Sequence, residues 1–430
     1  MFFLLLSNLS WASEQNDNSA VSFGYFINSR PTVAHNPDFN FDTKDSTWAY
    51  NQNIRLISTG TWDGFVVRAS FQEARTWGSS PTPPFSADAI AGMHEGYLQV
   101  GTPDNSSLWL RVGRQAFNFG AGNILGGARW NFYGIAHDGF RIHNEYNQFS
   151  WDLLGIQQSG SSIFETSCQD DIETPDVDEC ETFSPETVRS AGDQLWIFTA
   201  KATVNKSLTV QPYVLFLSQN ETVDDPDRNR QIYSPGLLLT GKLSSSIKYL
   251  VEGTYQTGQV NDDVDHSAWK AVLDLNWSSG PTGLRFHYEN NSGDGNSNDS
   301  VNNDFVPFYP NNHAYRGLSD KVGGINSQDL LLEFRYAIND TFQVKTQAHH
   351  FALSNPDGHW YRNNGTSMGS ASNNDSSTIG EEIDLVLEWS PRKGETFRLV
   401  HAHLFPRGAG EEIAGSDSSS ATYIWFLVSK

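Results

Sequence analysis

Apolar and polar residues alternate along most of this chain with a period of two. Leu108, Leu110 and Val112 stand against Trp109, Arg111 and Gly113, and Phe140 and Ile142 repeat the pattern against Arg141 and His143. Successive side chains of a strand point to opposite faces, so each stretch predicts a strand with one apolar and one polar side. The alternation recurs at 21–28, 48–56, 65–72, 93–100, 149–157, 194–202, 208–217, 232–243, 247–256, 268–277 and 284–290. It returns at 328–336, 342–353, 379–389, 396–405 and 421–428. With the two strands of 108–143 this makes about 18, an even number as in single-chain bacterial outer-membrane barrels. In 284–290 the division is cleanest: Leu284, Phe286 and Tyr288 face one way, and Arg285, His287 and Glu289 the other.

The connections keep a phase. Short segments at 61–64, 102–107, 145–148, 204–207, 244–246, 278–283, 338–341 and 390–396 alternate with longer ones, among them 75–92, 117–136, 159–193, 291–327 and 354–378. A soluble sandwich has no reason to hold that phase throughout. The pattern predicts an all-β fold, a transmembrane antiparallel up-and-down β-barrel. Its apolar face would meet lipid, its polar face would line a lumen, its short turns would be periplasmic and its long loops extracellular.

Composition narrows the choice. The 430 residues contain no linker that would divide them, and are 38% apolar and 13% aromatic. No apolar run approaches the ~18 residues a spanning helix requires. Met1 to Leu6 reads MFFLLL, and Ser10-Trp11-Ala12 supplies small residues at signal-peptidase spacing, so 1–12 is read as a clipped signal peptide and 13–430 as one barrel domain. Export follows, with the bacterial outer membrane as the expected location. In that setting Cys168 and Cys180, near neighbours in one acidic stretch, are a disulfide candidate; the alternative is two free thiols.

Four segments carry a resemblance to a known family: VGRQAFNFG from Val112, ARWNFYGIAHDGFRI from Ala128, YPNNHAYRGLSDKVGGINSQDL from Tyr309 and GEEIDLVLEWSP from Gly380. In this order they resemble the motifs of the alginate-export outer-membrane barrel family, and the similarity runs over nearly the whole chain from about Val21. The resemblance implies an eighteen-stranded barrel through which an anionic polyuronate, or in divergent members another solute, diffuses. The chain departs from the pattern in its acidic loops, its cysteine pair and its final Ser429-Lys430, where an aromatic residue is usual.

The formal charge of −22 at first opposes passage of an acidic polymer. Much of that acid falls in predicted loops, including Glu165, Asp170, Asp171, Asp224, Asp225, Asp262 and Asp263, whereas basic residues favour lumen-facing strand positions. Substrate-binding candidates are Arg55, Arg68, Arg111, Arg114, Arg129, Arg141, Arg285, Arg335 and Arg398, with Lys248, Lys270 and Lys345 on the same face. A low-dielectric wall focuses their field inward, and guanidinium holds a carboxylate bidentately. The competing reading pairs them with lumen carboxylates at Asp152, Glu252, Asp274, Glu289, Glu333, Asp384 and Glu388. The early arginines 55–141 have fewer acidic neighbours and are assigned to solute.

Other chemistry is weaker. His349 and His350 point to opposite faces and cannot chelate together. His401 and His403 share the membrane-side register of Phe397 and Leu399. Asp294, Asn296, Asn298 and Asp299 loosely resemble a calcium loop without its downstream bidentate Glu. No Ser, His and acid arrangement stands out, so neither catalysis nor a cofactor is expected. The function expected is a passive channel, with loops 117–136 and 291–327 folding in to constrict it. Its partners would be outer-membrane lipid, anionic polysaccharide or small solutes, and periplasmic secretion proteins, without nucleic acid. The alternatives are a general or oligosaccharide-uptake porin and, in a different class, a barrel enzyme or adhesive surface protein.

Overall fold

The computed structural model describes residues 20–39, 45–77, 89–102, 107–120, 122, 124–127, 130, 133–158, 162–164, 188–190, 192–220, 229–296, 298–371 and 376–430. Long strands dominate them. They are β1 (Ala20–His35), β2 (Ser46–Trp62), β3 (Phe65–Trp77), β4 (Ala89–Val100), β5 (Leu108–Gln115), β6 (His137–Tyr146), β7 (Phe149–Gln157), β8 (Gln194–Asn205) and β9 (Leu208–Gln219). They continue as β10 (Arg230–Lys242), β11 (Ile247–Gln259), β12 (Asp265–Ser279), β13 (Thr282–Asn291), β14 (Ser327–Ala337), β15 (Phe342–Ala352), β16 (Thr378–Trp389), β17 (Glu395–Pro406) and β18 (Ser419–Ser429). Each pairs antiparallel with the next, and β1 also pairs with β18, from Phe26 opposite Ser429 to His35 opposite Ser420. The sheet is thus closed, an antiparallel barrel of 18 strands with no free edge.

Local chemistry accounts for the hairpins. Trp62 pairs with Phe65 across Asp63-Gly64, and Gly64 takes φ +84, the left-handed conformation that a two-residue turn needs and that glycine adopts without steric cost. Such a turn fixes the register of everything beyond it, and therefore which residues face outward. On that face Phe23, Leu56, Phe71, Val112, Phe198, Val251, Trp269, Leu284, Leu332 and Leu399 are exposed. No helix among the described residues is long and apolar enough to cross a membrane. The apolar surface instead forms a sleeve of alternate strand residues, the surface a bilayer covers.

The inner face is divided. From β11 to β16 it is largely polar, with Glu252, Lys270, Asp274, His287, Glu289, Asp329, His349 and Asp384 all buried. From β7 to β10 it is apolar: Leu154, Ile156, Leu195, Ile197, Leu215, Leu217, Ile232 and Leu238 form one cluster. On β8 both faces are apolar, since exposed Trp196 and Phe198 alternate with buried Leu195 and Ile197. Something inside the barrel must cover that second apolar wall.

Candidate functional site

The cover comes from the connection after β5. Phe117, Phe119, Ile124 and Leu125 pack into the β7–β10 cluster together with Phe308 from the connection between β13 and β14. Both segments expected to fold inward therefore do so over their described residues. Main-chain bonds join them: Tyr309 N donates to Ile124 O at 3.0 Å, Gly126 N to Tyr309 O at 2.8 Å, and Asn311 N to Gly122 O at 2.9 Å. Each fully buried Phe, Ile or Leu contributes about 1.5–3 kcal/mol through its apolar area, which sets the scale on which this plug is held.

Polar anchors fix the rest of the β13–β14 connection. Arg316, fully buried, donates to Gly323 O at 2.7 Å and Ser327 Oγ at 2.6 Å, and pairs with Glu289, which Lys270 also contacts. Two residues on, Leu318 N donates to Asp384 Oδ2 at 3.3 Å and Ser319 N to Glu382 Oε1 at 3.0 Å. Gly317 between them has φ +77, and a Cβ there would sit 2.4 Å from Glu382 Oε1, so only glycine lets the chain pass this close to the wall.

Beside these anchors the short turn Asn312–Ala314 stands across the lumen. Asn312 and His313 face a cavity of about 1040 Å³ at the loop end, whereas Ala314 and Tyr315 face one of about 490 Å³ at the turn end. Three segments meet here. The Trp130 ring lies flat on His313 at 3.3 Å between centroids, with the Arg30 guanidinium 3.4 Å from its centroid. Asp320 accepts from Trp130 Nε1 at 2.6 Å, His313 Nδ1 at 2.9 Å and Asn363 Nδ2 at 2.7 Å. Burial holds the His313 imidazole below its usual range against the pull of Asp320, so it is neutral near pH 7. Lys321, on the wide cavity, is pushed down to about 8 by burial, with Arg362 adding to the effect.

The predicted basic residues divide by partner. Arg68 bridges Glu95 at 2.9 Å, Arg141 bridges Asp152 at 2.7 Å, Arg285 bridges Asp274 at 2.7 Å and Arg398 bridges Glu388 at 2.6 Å. Lys270 and Lys345 are paired too, with Glu289 and Glu388. Arg111 holds the neutral Gln99 oxygen at 2.8 Å beneath the Tyr97 ring, and Arg55 reaches Tyr133 O at 3.3 Å. Arg335 and Lys248, both on the narrow cavity, have no carboxylate within bridging distance among the described residues. The early arginines divide between the two readings. Arg68 and Arg141 are paired structurally, because the β3–β4 and β6–β7 registers set Glu95 and Asp152 beside them. Arg114 shares the strand parity of Leu110 and Val112 and bridges the largely exposed Asp138 at 2.9 Å. Arg129 lies outside the described residues, as do the signal-peptide segment and Cys168 and Cys180.

The remaining candidates resolve locally. Asp294 Oδ1 accepts from Asn296 N at 2.9 Å, Asn296 Oδ1 from Asn298 N at 3.3 Å and Asp299 Oδ1 from Val301 N at 3.0 Å, so these oxygens shape the turn. Among the described residues no group of three or more His, Cys, Asp or Glu side chains is placed to hold a metal ion. His349 is buried and its neighbour His350 half-exposed, as the period of two requires. His401 and His403 sit on the outer face with ring centroids 6.0 Å apart. Residues that the sequence reading missed are Arg30, Trp130, Arg316, Asp320 and Lys321, all but Arg30 in irregular backbone where periodicity carries no signal.

A closed barrel with an apolar sleeve, constricted from within by its own loops and lined with charge, defines an integral outer-membrane β-barrel of the channel class. The family model described as Alginate export matches residues 183–426, more than half of the chain, and the chain belongs to that family. Among solved structures it is similar to OccAB4 of Acinetobacter baumannii, at 11% identity and TM-score 0.61, with 97% of this chain and 99% of that one covered. It is also similar to OccAB2 of the same organism, at 10% identity and TM-score 0.62 over 95% of this chain and 98% of that one. OprD of Pseudomonas aeruginosa gives 10% identity and TM-score 0.57 over 95% of both chains. At these identities the likeness concerns the fold. No curated protein matches the chain.

Proposed function

We propose that the protein is a passive diffusion channel for anionic solutes, with export of a carboxylate-bearing polysaccharide of the polyuronate class as the leading assignment. The observation that carries this reading is the narrow cavity, where Arg335, Lys248 and the paired cations Arg285 and Lys345 outnumber the acids Asp274 and Glu333. Unpaired positive charge on a low-dielectric wall raises the local concentration of carboxylates. Transport runs down a gradient, with no bond made or broken and no cofactor. Short turns such as Asp63-Gly64 face the periplasm and the long connections face the exterior. Periplasmic secretion proteins are the partners expected at the turn end, and outer-membrane lipid around the sleeve.

A second reading, a general or oligosaccharide-uptake porin, is favoured by the carboxylate pairing of Arg68, Arg141, Arg285 and Arg398, which leaves much of the lumen with mixed charge. The deciding experiment is the reversal potential of the purified protein in a planar bilayer under a KCl gradient, repeated with oligouronate. Anion selectivity with block by oligouronate supports the leading assignment. Cation selectivity without block leaves the porin.

A further inference from the structure

Asp320 is the meeting point of three connections. Three N–H groups from three separate connections converge on it: Trp130 Nε1 on Oδ2, and His313 Nδ1 and Asn363 Nδ2 on Oδ1. Two of these are obligate donors, and the imidazole donates at Nδ1 in the tautomer whose Nε2 accepts from Tyr423 Oη at 3.2 Å. Several directed N–H groups on both oxygens make a strong recognition set for a carboxylate. Trp130 has supports besides Asp320. Trp130 is held between the His313 ring and the Arg30 guanidinium, and Arg30 also donates to Trp130 O at 3.1 Å. Asp320 itself stands at φ +59, a left-handed conformation uncommon outside glycine, with its side chain 26% exposed toward the wide cavity. Arg30, Lys321 and Arg362 line the same cavity and draw anions to it.

We propose that these three donors form a carboxylate-binding site of the pathway, that Asp320 is its internal occupant, and that a solute carboxylate crosses the constriction by taking its place. The proposal rests on the anionic-solute reading and names the step at which such a solute is recognised. Exchange conserves charge and hydrogen bonds at the donors: one carboxylate leaves as another arrives, so no N–H is left unpaired while the site turns over. A neutral solute offers no such exchange and meets a closed latch.

The test is a titration of single-channel current with formate, acetate and neutral acetamide in the full-length protein. Asp320→Gly suits the backbone and vacates the donors, and Asp320→Asn keeps the side-chain shape while placing an amide against Trp130. Both variants are expected to respond to formate and acetate at concentrations about tenfold or more below those needed by the parent, the scale of regaining one hydrogen bond to a charged group. Acetamide should do nothing, and Trp130→Phe in the Asp320→Gly background should weaken the response by a similar factor. Equal formate response in parent and variants overturns the proposal, as does a response to acetamide or one indifferent to Trp130→Phe. The anionic-channel reading fails separately, on cation selectivity of the parent under a KCl gradient, whatever the titration gives.

Discussion

Leu125 is the residue through which the plug can be loosened without touching a charge. It is fully buried in the β7–β10 cluster, and its backbone pairs with both Phe119 and Tyr309. Leu125→Ala leaves the main-chain bonds in place and opens a cavity against that wall, at a cost of about 2–5 kcal/mol for a core Leu truncation. At ~1.4 kcal/mol per decade, the ratio of docked to undocked plug falls by roughly 30-fold to several thousandfold. Docked plugs of this kind open at free energies below the global stability, so the shift brings an undocked state into the observable range. Single-channel recording reads it directly, as new openings of larger conductance with longer dwell times. Leu237→Ala is the matched control: it sits on β10 next to Leu238 of the wall, but it is exposed on the outer face, so its records should equal the parent's. If Leu125→Ala lowers thermal stability while its conductance and gating stay those of the parent, the β5–β6 connection is not the constriction and the reasoning is wrong.

Further expectations follow from the charges. Arg335→Gln should shift the reversal potential toward cations, whereas the double change Arg68→Gln with Glu95→Gln, which removes a bridged pair, should leave it nearly unmoved; equal shifts would refute the division into paired and unpaired cations. Lys321 carries its charge below its pKa of about 8 and loses it as the pH rises through that value, so anion selectivity should step down between pH 7 and 9. Lys321→Met should show the lower selectivity at every pH, without the step. Arg316→Met removes one partner of a buried pair, but Glu289 keeps Lys270 and the Asn291 amide at 3.0 Å. The loss is therefore expected at about 3 kcal/mol, the lower end for a broken buried pair, read as a fall in the urea midpoint.

Alternation made every barrel strand legible, since one face had to be apolar for lipid whatever the lumen held. It failed where a second face was apolar for another reason. Leu195, Ile197, Leu215 and Leu217 serve as the seat of Phe119 and Leu125, and nothing within β8 or β9 says that a loop from elsewhere will fill the lumen there. Register explains which arginines are paired. The turn Asn147-Gln148 sets His143 opposite Asp152 and so brings Arg141 to Asp152, a pairing readable from hairpin length. Glu95 reaches Arg68 across a strand pair whose register shifts between Ser70 and Phe71, which alternation does not report. Trp130 and Asp320 lie 190 residues apart in irregular backbone, and only the closed fold unites them.

That separation bears on the order in which the molecule is made. The bonds from Ile124 and Gly126 to Tyr309 join a segment that follows β5 to one that precedes β14, and Arg30, which steadies Trp130, stands on β1, the strand whose pairing with β18 closes the sheet. Tyr309 cannot meet Ile124 and Gly126 until the chain has been made past β13, and Phe119 and Leu125 have no seat until β7 to β10 stand beside them. A nascent chain that has reached only β6 therefore carries the constricting segment without its partners, and the passage takes its final width only when most of the strands are present.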